Sequence, residues 1–94
     1  MHVQALVMNS DDNVATAVRS LKRGETVETG ENTAGVLLLS DIPFGHKLAL
    51  KDIGRGDEIV KYGEVIGRAV ALIRRGEHVH IHNVEGLRGR GDIS

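Results

Sequence analysis

Three histidines alternate with two aliphatic residues near the end of the chain, and these histidines are the strongest candidates for a functional site. His78, His80 and His82 lie two positions apart, with Val79 and Ile81 between them. Successive side chains of an extended strand point to opposite faces, so the pattern predicts three imidazoles on one face and two aliphatic side chains in a core. Neutral imidazoles are good ligands for transition metals. The pattern therefore predicts a metal or anion site, with a plain polar strand face as the alternative.

One strand rarely supplies a complete metal site, because a third imidazole on it often cannot reach the ion without strain. His46 is the candidate for a further ligand, since it follows a glycine-containing turn at the start of a predicted strand. That position predicts a side chain facing a cleft, and a capping or core histidine is the alternative. Lys47 is a candidate to attract the carboxylate of a substrate, although a plain solubility charge is the simpler explanation.

The composition limits what the chain can do. Its 94 residues fit one small domain, and 12 basic against 13 acidic side chains leave a formal net charge of -1. That balance, with one Tyr and one Phe, argues against general binding to nucleic acid or membranes. The absence of cysteine excludes disulfides and thiolate chemistry. The opening apolar stretch is too short for a signal peptide or membrane span, so we expect a cytoplasmic protein.

A seven-residue motif occurs three times: an aliphatic residue, two variable residues, glycine, an acidic residue, a variable residue and a second aliphatic residue. The copies are residues 21–27, 53–59 and 73–79. The glycine suits a turn with positive φ, and the aliphatic ends suit burial. The motif therefore predicts one kind of turn used repeatedly within a compact β domain.

We expect a mainly β single domain with one short helix. Strands are predicted at residues 3–8, 36–39, 47–50, 65–72 and 78–83, with shorter pieces near 26–28 and 59–61. The continuous apolar run at 36–39 predicts a strand that is buried on both faces.

The helix is predicted to begin at Ser10 or Asp11, which can cap it, and to end at Gly24. Its expected apolar stripe consists of Val14, Ala17, Val18 and Leu21. Residues 87–94 lack periodicity, so they are predicted to be a linker or flexible tail after a domain spanning residues 1–86.

Four blocks of the chain together resemble a known family. They are residues 12–17, 42–50, 61–67 and 76–83, and they occur in that order. They closely resemble the amino-terminal domain of the altronate/galactarate dehydratase family, whose fold is the small β-clip of SAF type. The last block is more similar to the altronate dehydratase and sulfolactate sulfo-lyase branches than to the galactarate branch.

The resemblance implies a role in a lyase that eliminates water from a sugar acid, or sulfite from sulfolactate, with a divalent metal such as iron or, alternatively, manganese. It also implies a large dehydratase subunit or domain as partner, so the isolated chain is expected to be inactive. Exposed apolar edges make homo-oligomers a further expectation. The resemblance assigns His46 and His80 to catalysis. It assigns His78, His80 and His82 to metal binding, and Lys47 and Asn83 to substrate binding.

Two non-catalytic alternatives stay open. In one, the chain is a SAF module that recognises sugar acids or mediates assembly, and a complex that keeps its activity after His46→Ala and His80→Ala would favour it. In the other, the chain is a stand-alone metal carrier. That alternative requires micromolar or tighter metal binding that is lost in a triple-histidine variant.

Overall fold

Nine short strands make up the computed structural model, which describes residues 4–7, 9–29 and 35–86. The mainly β prediction is confirmed. None of these residues forms a helix, so the described part of the chain contains no helix that could span a membrane. The strands are β1 (Ala5–Leu6), β2 (Val14–Ala17), β3 (Thr26–Val27), β4 (Val36–Leu37), β5 (Lys47–Ala49), β6 (Glu58–Lys61), β7 (Glu64–Ala69), β8 (His78–Val79) and β9 (Val84–Gly86).

The strands form three antiparallel sheets. One has the order β1-β2-β5-β8, the second has the order β6-β7-β9, and β3 pairs with β4 alone. The pairing of β5 with β8 places Lys47 opposite Val79 and Leu48 opposite His78. It therefore brings two segments that are far apart in the sequence side by side at the edge of the first sheet.

The strands β2 and β5 are buried on both faces, because the described residues form two hydrophobic clusters. Ala15 and Leu48 belong to one hydrophobic cluster, whereas Val14 and Ala49 belong to the other. Neighbouring side chains of a strand point to opposite faces, so each strand contributes to both clusters. The partner strands β1 and β8 lie on either side of this central pair.

The recurring motif forms the same turn at every copy, and the structure adds a fourth copy at residues 42–48. In each turn the central glycine has a φ between +82° and +91°, a region that non-glycine residues rarely adopt. Both aliphatic ends of every copy are buried. In each copy the backbone N–H of the fifth residue donates to the carbonyl of the second, as seen for Glu25 and Lys22, His46 and Pro43, Asp57 and Gly54, and Glu77 and Arg74.

The predicted helix from Ser10 or Asp11 to Gly24 is wrong, because part of it is strand β2, which pairs with β1 on one edge and β5 on the other. Ala15, which the helical stripe would leave outside, is buried, and Val18, which it would bury, is 39% exposed. β-Branched residues at alternate positions along this segment also favour a strand.

Side chains just before β2 fix the extended conformation. The Asn13 amide donates to the carbonyl of Glu58 at 2.8 Å and accepts from the N–H of Val60 at 2.8 Å. The Asp12 carboxylate accepts from the N–H of Gly63. These bonds tie the segment to the β6–β7 hairpin, so tertiary contacts outweigh the local helix signals.

The run at 36–39 is not buried on both faces, since Leu37 is 54% and Leu39 is 42% exposed. Among the described strands, β4 pairs only with β3, and one of its faces covers the hydrophobic cluster that contains Ala15 and Leu48. Most other strands are shorter than predicted, because the chain turns back within a few residues of each buried position. The predicted tail at 87–94 lies outside the described residues, and the boundary at residue 86 stays a prediction.

Candidate metal centre

The strand predicted at residues 78–83 covers only its first two residues. Strand β8 ends at Val79, and residues 80–83 form a turn. Val79 is fully buried as expected, but Ile81 is 83% exposed, so its predicted place in the core is wrong. The alternation therefore does not place the three histidines on one strand face, and another feature has to bring them together.

Asn83 closes this turn. Its Oδ1 accepts from the N–H of His80 at 2.9 Å, and its Nδ2 donates to the carbonyl of His78 at 2.8 Å. The side chain is buried, and both ends of its amide are engaged with the backbone of the histidine segment. These contacts favour a positioning role for Asn83, while its predicted contact with a substrate stays a prediction.

The imidazoles of His46, His78 and His80 form a stack. Ring centroids lie 5.1 Å apart for His46 and His78, 4.3 Å for His46 and His80, and 5.3 Å for His78 and His80. Nδ1 of His46 and Nε2 of His78 are 2.9 Å apart and share a hydrogen bond whose donor depends on the tautomer. The residue predicted as a further ligand, His46, is therefore part of the cluster.

These three histidines could hold a metal ion, because their ligand nitrogens all lie within 4.8 Å of one another. Metal–nitrogen bonds of about 2.0–2.1 Å leave two ligands of one ion no more than about 4.2 Å apart, so the set must contract slightly on binding. Three imidazoles also leave coordination positions open for water or substrate. Three histidines therefore lie close enough to hold a metal ion, but the close set contains His46 in place of the predicted His82.

His82 lies outside this close set. Its ring is 5.4 Å from that of His78 and tilted by 37°, and the residue is exposed. Its predicted role as a metal ligand stays a prediction. The acidic neighbour of His78, Glu77, is also outside the set, because its carboxylate accepts from the N–H of Arg74 at 2.6 Å.

The cluster favours neutral imidazoles. Desolvation, followed by the nearby His46, His82, His80 and Lys47, lowers the pKa of His78 to about 4. Desolvation also lowers the pKa of His80, with His46 the next cause. Neutral imidazole is the form that binds metals, so no proton has to leave these two rings near pH 7.

Lys47 lies beside the cluster at a groove of about 240 Å³ between the first sheet and the β6-β7-β9 sheet. Ile59, Ile66 and Val84 line the groove, and Lys47 and His80 supply its polar side chains. Desolvation, with Lys61 as a second cause, lowers the pKa of Lys47. A partly desolvated ammonium beside an imidazole suits a carboxylate ligand, so these contacts are consistent with the predicted role of Lys47.

The sequence predicted a glycine-containing turn before His46, but not that residues 42–48 repeat the seven-residue motif, because the motif was defined with an acidic fifth residue. In this copy His46 takes the fifth position, while Ile42, Gly45 and Leu48 match the aliphatic and glycine positions. The spacing of these three residues is the signal that could have identified the turn. It would also have predicted where His46 sits in the fold.

Comparisons with known proteins identify the family of this chain. Residues 3–87 match the family model described as the altronate/galactarate dehydratase SAF domain. The chain is 38% identical to the alpha subunit of (2R)-sulfolactate sulfo-lyase from Chromohalobacter salexigens, over 94% of this chain and 99% of that one. It is 43% identical to altronate dehydratase of Escherichia coli, over 86% of this chain but only 16% of that protein.

Altronate dehydratase of Bacillus subtilis gives a similar result, with 40% identity over 83% of this chain and 15% of that protein. The family model covers most of the chain, so it decides the assignment. The chain belongs to the SAF-domain family of the altronate and galactarate dehydratases.

Proposed function

We propose that the chain is the small subunit, or the amino-terminal domain, of a sugar-acid hydro-lyase of the altronate dehydratase type. Its histidines would form one side of an active site that a larger subunit or domain completes. The cluster of His46, His78 and His80 carries this proposal, because it offers three metal-binding nitrogens and keeps open coordination positions. The cytoplasm is the proposed location.

The names and lengths of the relatives support a larger partner. One relative is named an alpha subunit, and the chain spans only 16% of the E. coli altronate dehydratase. The three histidines alone do not complete a catalytic centre. We therefore expect the remaining ligands and the base that removes the substrate proton to come from the partner.

The proposed cofactor is a divalent metal, Fe²⁺ or alternatively Mn²⁺, held by His46, His78 and His80. When bound, it supplies a Lewis acid that makes the C–H bond beside the substrate carboxylate more acidic. Imidazole suits iron among other transition metals, so the donor set fits this group.

The remaining side chains of the site have separate roles in this proposal. Lys47 attracts the substrate carboxylate into the groove that it shares with His80. Elimination also needs a general acid for the departing hydroxyl. If His46 and His80 hold the metal, neither is free to carry that proton as predicted. His82, which is exposed and lies outside the close set with its ring 5.4 Å from that of His78, is the neighbouring imidazole that remains for proton transfer.

The test is reconstitution of this chain with a candidate large subunit of the altronate dehydratase type, produced separately. We expect the isolated chain to be inactive with altronate and Fe²⁺, and the mixture to be active. His78→Ala and His80→Ala should abolish the activity of the mixture, whereas the exposed Lys51→Ala serves as a control that keeps it. The proposal would be overturned if the large protein were fully active alone. It would also be overturned if either histidine variant, mixed with the large protein, gave full activity.

A second candidate is the alpha subunit of a sulfolactate sulfo-lyase. The alignment over 94% of this chain and 99% of the C. salexigens subunit favours it. The chemistry is related, since a proton beside the carboxylate is removed and sulfite leaves in place of hydroxide. Measuring sulfite release from sulfolactate and keto-acid formation from altronate by the same complex decides between the two.

A further inference from the structure

Three of the four repeated turns use their acidic residue for the same structural purpose. The side chain of the fifth residue accepts a hydrogen bond from the backbone N–H of the second. The bonds are Lys22 to Glu25 at 2.7 Å, Gly54 to Asp57 at 2.9 Å and Arg74 to Glu77 at 2.6 Å. Each carboxylate therefore closes its own turn, and the Glu25 carboxylate also pairs with Arg19.

The turn at residues 42–48 keeps the backbone of the other three but not this side-chain bond. Its second residue is Pro43, which has no N–H to donate. Its fifth residue is His46, whose N–H still donates to the carbonyl of Pro43 at 2.9 Å. The His46 ring instead shares its Nδ1 hydrogen bond with Nε2 of His78.

We propose that Pro43 is a positioning residue for the histidine cluster. By removing the N–H that the other turns use to hold their fifth side chain, it leaves the His46 ring to join His78 and His80. An N–H at position 43 would offer Nδ1 of His46 a partner inside the turn and compete with His78. This inference rests on the proposed function in one respect, namely that His46 is a metal ligand.

The first test is Pro43→Ala in the full chain, titrated with Co²⁺ as a spectroscopic probe. We expect the affinity for Co²⁺ to fall about tenfold, in the range found when a residue that orients a ligand is removed. The matched control is Lys22→Pro, which removes the corresponding N–H from a capped turn. It should lower the denaturation midpoint and change the Co²⁺ affinity less than twofold.

A second measurement does not depend on metal. In the metal-free chain, the ¹⁵N shift of His46 Nδ1 should change in Pro43→Ala, because its partner changes from His78 to the N–H of residue 43. The double variant Pro43→Ala/His46→Asp should resist urea better than His46→Asp alone, since only the double variant can rebuild the capped turn.

The inference is overturned if Pro43→Ala leaves the His46 shift unchanged, or if the double variant is no more stable than His46→Asp. A wild-type chain that binds no Co²⁺ would instead count against the metal site of the proposed function. The nitrogen shift and the urea comparison would still decide the role of Pro43 in that case.

Discussion

The turns at residues 42–48 and 73–79 both place a histidine in the cluster, but they hold it in different ways. In the 73–79 turn, Glu77 caps the turn and the following residue, His78, enters the cluster from strand β8. In the 42–48 turn, His46 itself occupies the capping position and faces the other imidazoles. The same turn backbone therefore holds a capping carboxylate at residues 73–79 and a candidate metal ligand at residues 42–48.

The central glycines of the two turns also differ in how closely other atoms surround them. Gly76 has a φ of +90° and lies against the carbonyl of Leu37, so a Cβ there would collide with backbone. Gly45 has a φ of +82°, and no atom lies within 4 Å of the position of a Cβ. The 73–79 turn is packed into the fold, while the 42–48 turn lies at an open surface.

The largest expected difference between the two turns is in the free energy of unfolding lost when the central glycine is replaced by alanine. Gly76→Ala should lose about 4 kcal/mol or more, because it adds a backbone collision to an unfavourable φ. Gly45→Ala should lose about 1–2 kcal/mol, the cost of the left-handed conformation alone. Urea denaturation measures both, and equal losses would mean that the two turns are packed alike.

The second prediction compares the imidazoles inside and outside the close set. His78→Ala should weaken Co²⁺ binding by about 100-fold, whereas His82→Ala should change it less than about threefold. Isothermal titration of the folded variants measures both affinities. A larger loss of Co²⁺ affinity in His82→Ala than in His78→Ala would instead support the predicted set of His78, His80 and His82.

The third prediction concerns acid stability. The folded-state pKa of His78 is about 4, below the ordinary value of 6.5, so the unfolded chain binds a proton first as the pH falls. Stability should therefore fall between pH 6.5 and 4, by about 1 kcal/mol after allowance for solvent screening of a partly exposed ring. Denaturation midpoints over this range should fall less steeply in His78→Gln, and parallel profiles would contradict the prediction.

The smallest expected effect concerns the caps. Glu77→Ala removes an acceptor for the N–H of Arg74 and should cost about 1 kcal/mol. His46→Ala removes no cap, so it should cost less than about 0.5 kcal/mol in the metal-free chain. Thermal denaturation without metal compares them, with Glu25→Ala as a second capped turn. The reverse order would show that the His46–His78 bond stabilises the fold more than the cap does.

Local sequence signals predicted the motif turns and the approximate positions of most strands but not the strand lengths, because glycine and aliphatic spacing act over a few residues. They failed at residues 14–17, where Ala15 and Ala17 face one core and Val14 faces the other. A strand buried on both faces loses the simple alternation, and its apolar residues then also fit a helical stripe. Ser10 and Asp11 also looked like helix caps, but the residues that follow them, Asp12 and Asn13, bond to the β6–β7 hairpin.

The sequence predicted which histidines form the candidate site, but it did not predict how they are arranged. His46, His78 and His80 were all singled out, but the alternation placed the last two on one strand with His82. The turn closed by Asn83 is what rearranges them, and it depends on side-chain bonds to two backbone groups. The approach of His46 depends on the long-range pairing of β5 with β8, which no local pattern encodes.

The 32 positions between His46 and His78 give the site a thermodynamic consequence. The unfolded chain still carries the close run from His78 to His82, so a cation can bind there before the protein folds. Folding then adds His46, and only the difference between the two affinities stabilises the native state. Saturating metal should therefore raise the melting temperature less than the folded-state dissociation constant alone implies, and a chelator should leave a protein that is still folded.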